Sequence, residues 1–559
     1  ALEAAGLEFY GYVHFGAFLV GIPQNFDLNK LAALRVRSMI PVKNEWKLAR
    51  TLRERPFGDW AVHGNEVDIN IQVYPSMGIV RGTERCRQQG LTVLKQGTQN
   101  GFIQLRIPQA DLEAVAALPF VRHLELVPPP SQPEDINGRS IHRANLLDSD
   151  SPLGKKFDGT GVNILVRDDG QLGPHIDLQG RLDNSFAEGE QELGTHGDGV
   201  GGIMGGAGNL DPTKKGMASG SKVYAVDYES DFQDETLPLH IDQKVTITNT
   251  SYSNGCNAGY TLASQTVDQQ IYENPALMHV FSAGNSNGLD CGYGAGNQWG
   301  NITGGHKMGK NSIATANLSA NLTLEGSSSR GPAHDGRLKP DISAHGAGQN
   351  SLDPNNGYQE FGGTSAAAPG IAGCLTQLTH AYKSLHNDEQ PPSALLKAML
   401  LNTANDLGNV GPDFRFGWGH VNIWRAFRTL ELNRWKTGTV EQGADVTETI
   451  QIPSQTRLAR VMIVWADPPA QEEASRALIN DLDLTVAASS GPDYLPWRLD
   501  PTPDADILNA PAGKGRDSLN NVEQVAIENP VAGTYTVHIK GTEVPSLIET
   551  LPQPQGSTQ

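Results

Sequence analysis

A single serine, Ser365, stands in FGGTSAAAPG (361–370) among residues that carry almost no side chain. An alcohol is a weak nucleophile until a base takes its proton, and it needs open approach to a bulky acyl carbon. Gly362, Gly363, Ala366, Ala367 and Ala368 supply that clearance. The candidate base is His196 in GTHGDGVGGIMGG. The candidate acid to hold its imidazole is Asp168, at the end of the apolar run in GVNILVRDDG. Asp169 is the rival acid, which strand alternation turns to the opposite side. Asn285 in SAGNSNG offers an amide to an oxygen that becomes negative. Together these are the parts for acyl transfer. Taken singly, each has a plainer use, as a helix N-cap, a structural histidine or a turn asparagine.

Such parts need a frame. Apolar or β-branched runs at 161–170, 221–228, 244–253, 275–285 and 311–316 are separated in several places by helical stretches. This alternation predicts a doubly wound α/β fold, a parallel sheet with helices on its faces. Functional groups gather at the carboxyl ends of such strands. Asp168-Asp169-Gly170, Ser251-Tyr252-Ser253 and Gly284-Asn285 stand there. SAAAPGIAGCLTQLTHAY reads as a helix that begins at Ser365. Free N–H groups and the helix dipole favour negative charge at that end. Pro369 is expected in its first turn, where a missing N–H costs nothing. The small residues after His196 predict a helix whose backbone packs closely on the sheet.

These stretches together resemble the subtilisin-like serine peptidases (subtilases). The order Asp168, His196, Ser365 is that family's order. GGTSAAAP is similar to its nucleophile motif, HGDGVGG to its histidine motif and SAGN to its oxyanion motif. Asp198 stands where threonine is usual, and Asp169 where serine or threonine is common. SSSRGPAHDGRLKPDISAHG (327–346) is close to a long family segment, although SAHGAG departs from its usual ending. The resemblance covers 139–433 and implies a seven-stranded sheet and endopeptidase activity on proteins or peptides. It implies a Ser365-His196-Asp168 triad, with Asn285 and the Ser365 N–H holding the oxyanion, and no cofactor in the chemistry. It also implies that TSYSNG, with Ser251, Tyr252 and Ser253, walls the primary specificity pocket. Tyr252 would point to a substrate bound as an added strand. The alternative is a catalytically inactive subtilase-like surface protein that only binds.

The flanks are of other kinds. Residues 1–42 line up with 85–127, and a strand-like run at 67–75 precedes the second copy. Each unit reads β-α-β-β-α-β, ferredoxin-like, with closing strands from Val36 and Val121 and the first copy lacking its opening strand. The units resemble subtilase prodomains, which implies a chaperone and inhibitor of the chain's own catalytic domain. A proline-rich linker follows, with 128–140 the expected place of any cleavage. The expected division is 1–130, 139–433, an all-β sandwich over 434–546, and a tail over 547–559. The sandwich is similar to the C-terminal jelly roll of some secreted bacterial subtilases. Asp481, Asp483 and Glu523 are candidate ligands for a structural Ca²⁺.

The net charge of −19 and the lack of any basic block argue against nucleic-acid binding. No run of eighteen apolar residues occurs, so no membrane span is expected. The start, ALEAAGLEFY, is not a signal peptide. Of four cysteines, Cys374 reads as a buried thiol. Cys256 and Cys291 lie in glycine-rich loops, and whether they pair stays open; a bond would suit an oxidising compartment. A monomer, secreted or at the cell surface, is the expectation.

Overall fold

The computed structural model describes residues 3–13, 16–33, 35–53, 55–97, 102–127, 137–149, 154–187, 196–228, 235–256, 259–489 and 491–545. The expected linker core (128–136) and tail (547–559) lie outside them. The chain divides into two compact units, Ala1–Gln132 and Pro133–Gln559.

In the first unit, strands Glu66–Val73, Thr92–Gln96, Phe102–Pro108 and Val121–Leu126 alternate with helices Ile79–Gln88 and Leu112–Ala117 in β-α-β-β-α-β succession. The strands are antiparallel, and Glu66–Val73 lies between Phe102–Pro108 and Val121–Leu126. Period-two alternation drives Val67, Ile69, Ile71, Ile103, Leu105 and Ile107 into one core. The first copy departs from expectation. It forms a hairpin, Glu8–Val13 with Ala17–Gly21, but no closing strand from Val36. The second copy's closing strand pairs with Glu66–Val73, its opening strand. Among the described residues no strand pairs with the stretch from Val36, and Ile40 is left 74% exposed.

The second unit is built on a seven-stranded sheet. Its strands are β1 (Asn163–Asp168), β2 (Leu182–Asp183), β3 (Lys222–Asp227), β4 (Val245–Thr250), β5 (Met278–Ser282), β6 (Ile313–Leu318) and β7 (Ile342–His345). Their order is β7-β6-β5-β4-β1-β3-β2, and every pairing is parallel. Strands buried on both faces need apolar residues of both parities. Ile164 and Val166 of β1 face one core, which includes helices α1 (His196–Gly205) and α2 (Thr364–Leu385), while Leu165 faces another with Leu239.

Two sheets form the C-terminal sandwich. Asp445–Ile452, Gly533–Glu543, Asp481–Ala488 and Asp493–Tyr494 make one, and Leu458–Val464 with Val522–Glu528 the other. Leu484, Val486, Val525, Ile527, Tyr535 and Val537 fill the space between them. The change of architecture after 433 is not a break in packing, since Val522 and Leu508 join the core of the seven-stranded sheet. The fully buried Lys310 ammonium also reaches Asp467 (2.5 Å) and the Pro468 and Ala477 carbonyls (both 2.6 Å). Cys256 and Cys291 are disulfide-bonded, and Cys86 and Cys374 are buried thiols.

Candidate active site

The candidate residues collect at the carboxyl edge of the seven-stranded sheet. Asp168 ends β1, Ser251 follows β4 directly, and Asn285 lies just past β5. Asp168 is fully buried, and its Oδ1 lies 2.7 Å from His196 Nδ1. The Asp169 N–H donates to the same oxygen (3.1 Å). Asp168 Oδ2 is buried with no partner among the described residues. Burial pushes this carboxyl up, against the pull of His196. Burial alone would push the imidazole down, but the hydrogen bond and charge of Asp168, with the charge of Asp169, outweigh it. His196 therefore lies above its usual value. Its side chain is 40% exposed, so the ring is reachable from solvent.

Asp169 does something the sequence did not suggest. Its two oxygens accept from the backbone N–H groups of His196 and Gly197, each at 2.7 Å. It thereby caps α1 and fixes the residue that carries the imidazole. Cap and helix are far apart in sequence, so no local signal marks the pair. The glycines of α1 also differ from expectation, because most of them face a hairpin (Gln349–Asp353, Gly357–Phe361) and a loop rather than the sheet. A Cβ on Gly199 would come within 2.5 Å of the Phe361 ring, and one on Gly202 within 2.3 Å of Ser351 Oγ. Phe361 in turn meets the His196 ring edge-on, with centroids 4.9 Å apart.

Ser365 is the second residue of α2 and is only 7% exposed. Its hydroxyl donates to the Ser251 carbonyl (2.9 Å), and no hydrogen bond joins it to His196 among the described residues. The expected relay is therefore assembled at its acid–base end and open at its nucleophile end. Pro369 adds to this hold, since it stands beyond the first turn rather than in it. An ordinary residue there would donate to the Ser365 carbonyl four positions back. Proline cannot, and Ser251 Oγ takes that carbonyl instead (3.2 Å). Asn249 Nδ2 holds Ser251 Oγ from behind (2.9 Å). Ser251 and Ser365 thus clasp each other through two bonds.

Asn285 is exposed but fixed. Its Oδ1 accepts from the Thr364 N–H (2.9 Å) and from the Thr364 hydroxyl (3.0 Å). That leaves Nδ2 with no acceptor among the described residues, beside the backbone that leads into Ser365. Gly363, at φ +81°, would put a Cβ 2.9 Å from this nitrogen, so the position demands glycine twice over.

The remaining sequence candidates are placed differently. Tyr252 is half-buried and turns into the packing, with its ring 4.5 Å from that of Tyr228 and 5.4 Å from that of His306. Its expected projection toward a ligand is not what the structure has, because two aromatic neighbours reward the inward rotamer. Ser253 is exposed, and its hydroxyl accepts from the Gly255 N–H (3.2 Å). Asp481, Asp483 and Glu523 do not meet as a cation cage. Arg516 bridges Asp481 (2.6 Å) and Asp483 (2.9 Å), while Glu523 accepts from the Leu484 N–H (2.6 Å). No group of three acidic, histidine or cysteine residues that could hold a metal occurs among the described residues.

Comparison with known proteins gives the family. Residues 159–419 match the model of the subtilase family. The serine protease/ABC transporter B family protein tagB of Dictyostelium discoideum is 28% identical over 301 residues, 39% of this chain and 15% of that protein. Alkaline elastase YaB of a Bacillus species is 28% identical over 288 residues, 49% of this chain and 66% of the elastase. An extracellular serine protease of Serratia marcescens is 38% identical over 80 residues, 14% of this chain and 7% of that protein. The chain thus spans at most about two thirds of these relatives, and far less of some.

Proposed function

Residues 159–419 form a domain of the subtilase family, and on that premise we propose that the chain is a serine endopeptidase acting through an acyl-enzyme. The observation that carries the proposal is the 2.7 Å contact between His196 Nδ1 and buried Asp168, on the sheet edge that also bears Ser365 and Asn285. The Ser365 hydroxyl swings from the Ser251 carbonyl to His196, which takes its proton as Ser365 Oγ attacks the peptide carbonyl. Asp168 holds the ring in one tautomer and stabilises the imidazolium. The oxyanion forms between the Ser365 N–H and Asn285 Nδ2. The proton then passes from His196 to the leaving amine, and water repeats the sequence on the ester. The substrate backbone runs beside 251–254, and no cofactor enters the chemistry.

A fluorophosphonate probe tests this, because it reacts only with an activated serine. One covalent adduct on Ser365 is expected by peptide mass mapping. An unmodified Ser365 in a folded chain would instead favour a protein that binds without catalysis. Asn285→Ala is expected to lower kcat by about 10²–10³-fold with KM nearly unchanged. Its donor meets charge that exists only in the transition state, so an equal rise in KM would remove Asn285 from the oxyanion site.

We further propose that the β-α-β-β-α-β unit of the first 130 residues is an inhibitory prosegment and folding aid, as its resemblance to subtilase prodomains suggests. A chain begun at Ile141 should refold more slowly, and added residues 1–130 should inhibit it. Equal refolding rates without inhibition would sink the idea. The Cys256–Cys291 bond supports an oxidising, extracellular setting. No helix among the described residues is long and apolar enough to cross a membrane.

A further inference from the structure

We infer that Lys307 sets primary specificity by selecting an acidic residue, glutamate or aspartate, on the acyl side of the scissile bond. The inference rests on the peptidase reading above. Two segments flank the reacting atoms, 251–256, tied to Ser365 through Ser251, and 282–285, tied to Thr364 through Asn285. Thr303 and Gly304 join the two at their base. The Thr303 N–H donates to the Ala283 carbonyl (3.2 Å), the Gly304 N–H donates to the Gly255 carbonyl (2.9 Å), and Cys256 bridges to Thr303. The two segments that hold the reacting residues are thus joined through Thr303 and Gly304.

Lys307 packs against that junction. Its side chain is fully buried, and Nζ faces Ser282 Oγ (3.3 Å) in one segment and Thr303 Oγ1 (3.4 Å) at the junction. Neither partner is an anion, and both contacts are long. The other fully buried lysines are paired: Lys310 with Asp467, and Lys339 and Lys397 with Asp341. Lys307 has no carboxylate partner among the described residues, and burial pushes its pKa down to about 7. A buried ammonium without a counter-charge is a standing cost to the fold. A substrate carboxylate received between the two segments would remove that cost, and the Ser282 and Thr303 hydroxyls would donate to it as well. A neutral side chain of the same shape would leave the cation unpaired, which is how a polar site rejects an isostere.

A cation serving the oxyanion instead would favour every substrate alike, and the test separates the two. Peptides that differ only in Glu, Gln or Leu on the acyl side are compared by kcat/KM with the full chain. Glu is expected to exceed its isostere Gln by at least about 10²-fold. Lys307→Met is expected to erase that ratio and to raise cleavage after Leu. A Glu/Gln ratio near one overturns the inference, and so does an equal loss on all three peptides in Lys307→Met. Should that variant fail to fold, the Glu/Gln ratio of the unsubstituted chain decides alone. A chain that labels at Ser365 and cleaves without regard to charge overturns this inference and spares the peptidase reading, whereas a chain that does not label overturns both.

Discussion

Ser365→Ala is expected to lower kcat by roughly 10⁶, a magnitude taken from a member of the same family, and to abolish fluorophosphonate labelling. The loss should be chemical and not structural. The substitution removes one buried hydrogen bond, from Ser365 Oγ to the Ser251 carbonyl, worth about 1 kcal/mol. The other half of the clasp, from Ser251 Oγ to the Ser365 carbonyl, uses backbone and survives. Alanine is also a good helix former and already occupies the next three positions of α2. The variant should therefore unfold within a few degrees of the unsubstituted chain while turning over only at a residual rate. Near-normal turnover in Ser365→Ala would end the proposed mechanism. A large loss of thermal stability would mean that the clasp matters more to the fold than to reactivity.

That clasp marks the limit of what the sequence reveals. Period and composition suffice for β1, β3, β4, β5, β6 and α2, because burial on both faces leaves long β-branched runs and a helix beside the sheet needs small residues, but not for the short edge strands β2 and β7. The pairing of Asp168 with His196 is legible too, since a carboxylate at the end of a buried strand has few places to point. The direction of the Ser365 hydroxyl is not, because it is set by a carbonyl 114 positions away. Pro369 carried an unused signal, in that a proline four residues after Ser365 leaves that residue's carbonyl without a helical donor. Asp169 and Tyr252 show the same limit. Each is a residue whose partners come from other elements, and pattern along the chain cannot name them. The missing closing strand of the first repeat is a failure of another sort. Its sequence resembles that of its sister copy, but a strand forms only where a neighbour accepts its hydrogen bonds. Lys307 is the extreme case, since GGHKMGKNS reads as a polar loop until packing seals the lysine beneath two hydroxyls.

Asp168→Asn is expected to cost roughly 10⁴ in kcat without cost to the fold, and the two readouts together separate orientation from structure. Burial raises the Asp168 carboxyl above its ordinary value, against the pull of His196. A carboxyl raised in this way binds its proton more tightly when folded, so its ionised form works against folding once the pH passes the folded value. At neutral pH the unpartnered Oδ2 therefore draws stability away, and a neutral amide should leave the melting temperature unchanged or higher. The catalytic loss has a separate origin. An amide cannot stabilise imidazolium, and it allows the ring proton to sit on the nitrogen that must accept one from Ser365. The pH profile carries the sign. His196 acts as a base only when neutral, so activity rises through its pKa, which Asp168 holds above the ordinary 6.5. Without that carboxylate, burial dominates, and the acid limb of kcat/KM should move to lower pH as its plateau falls. An acid limb that stays in place while the melting temperature drops would show Asp168 to be a buried structural acid, and His196 would need another partner.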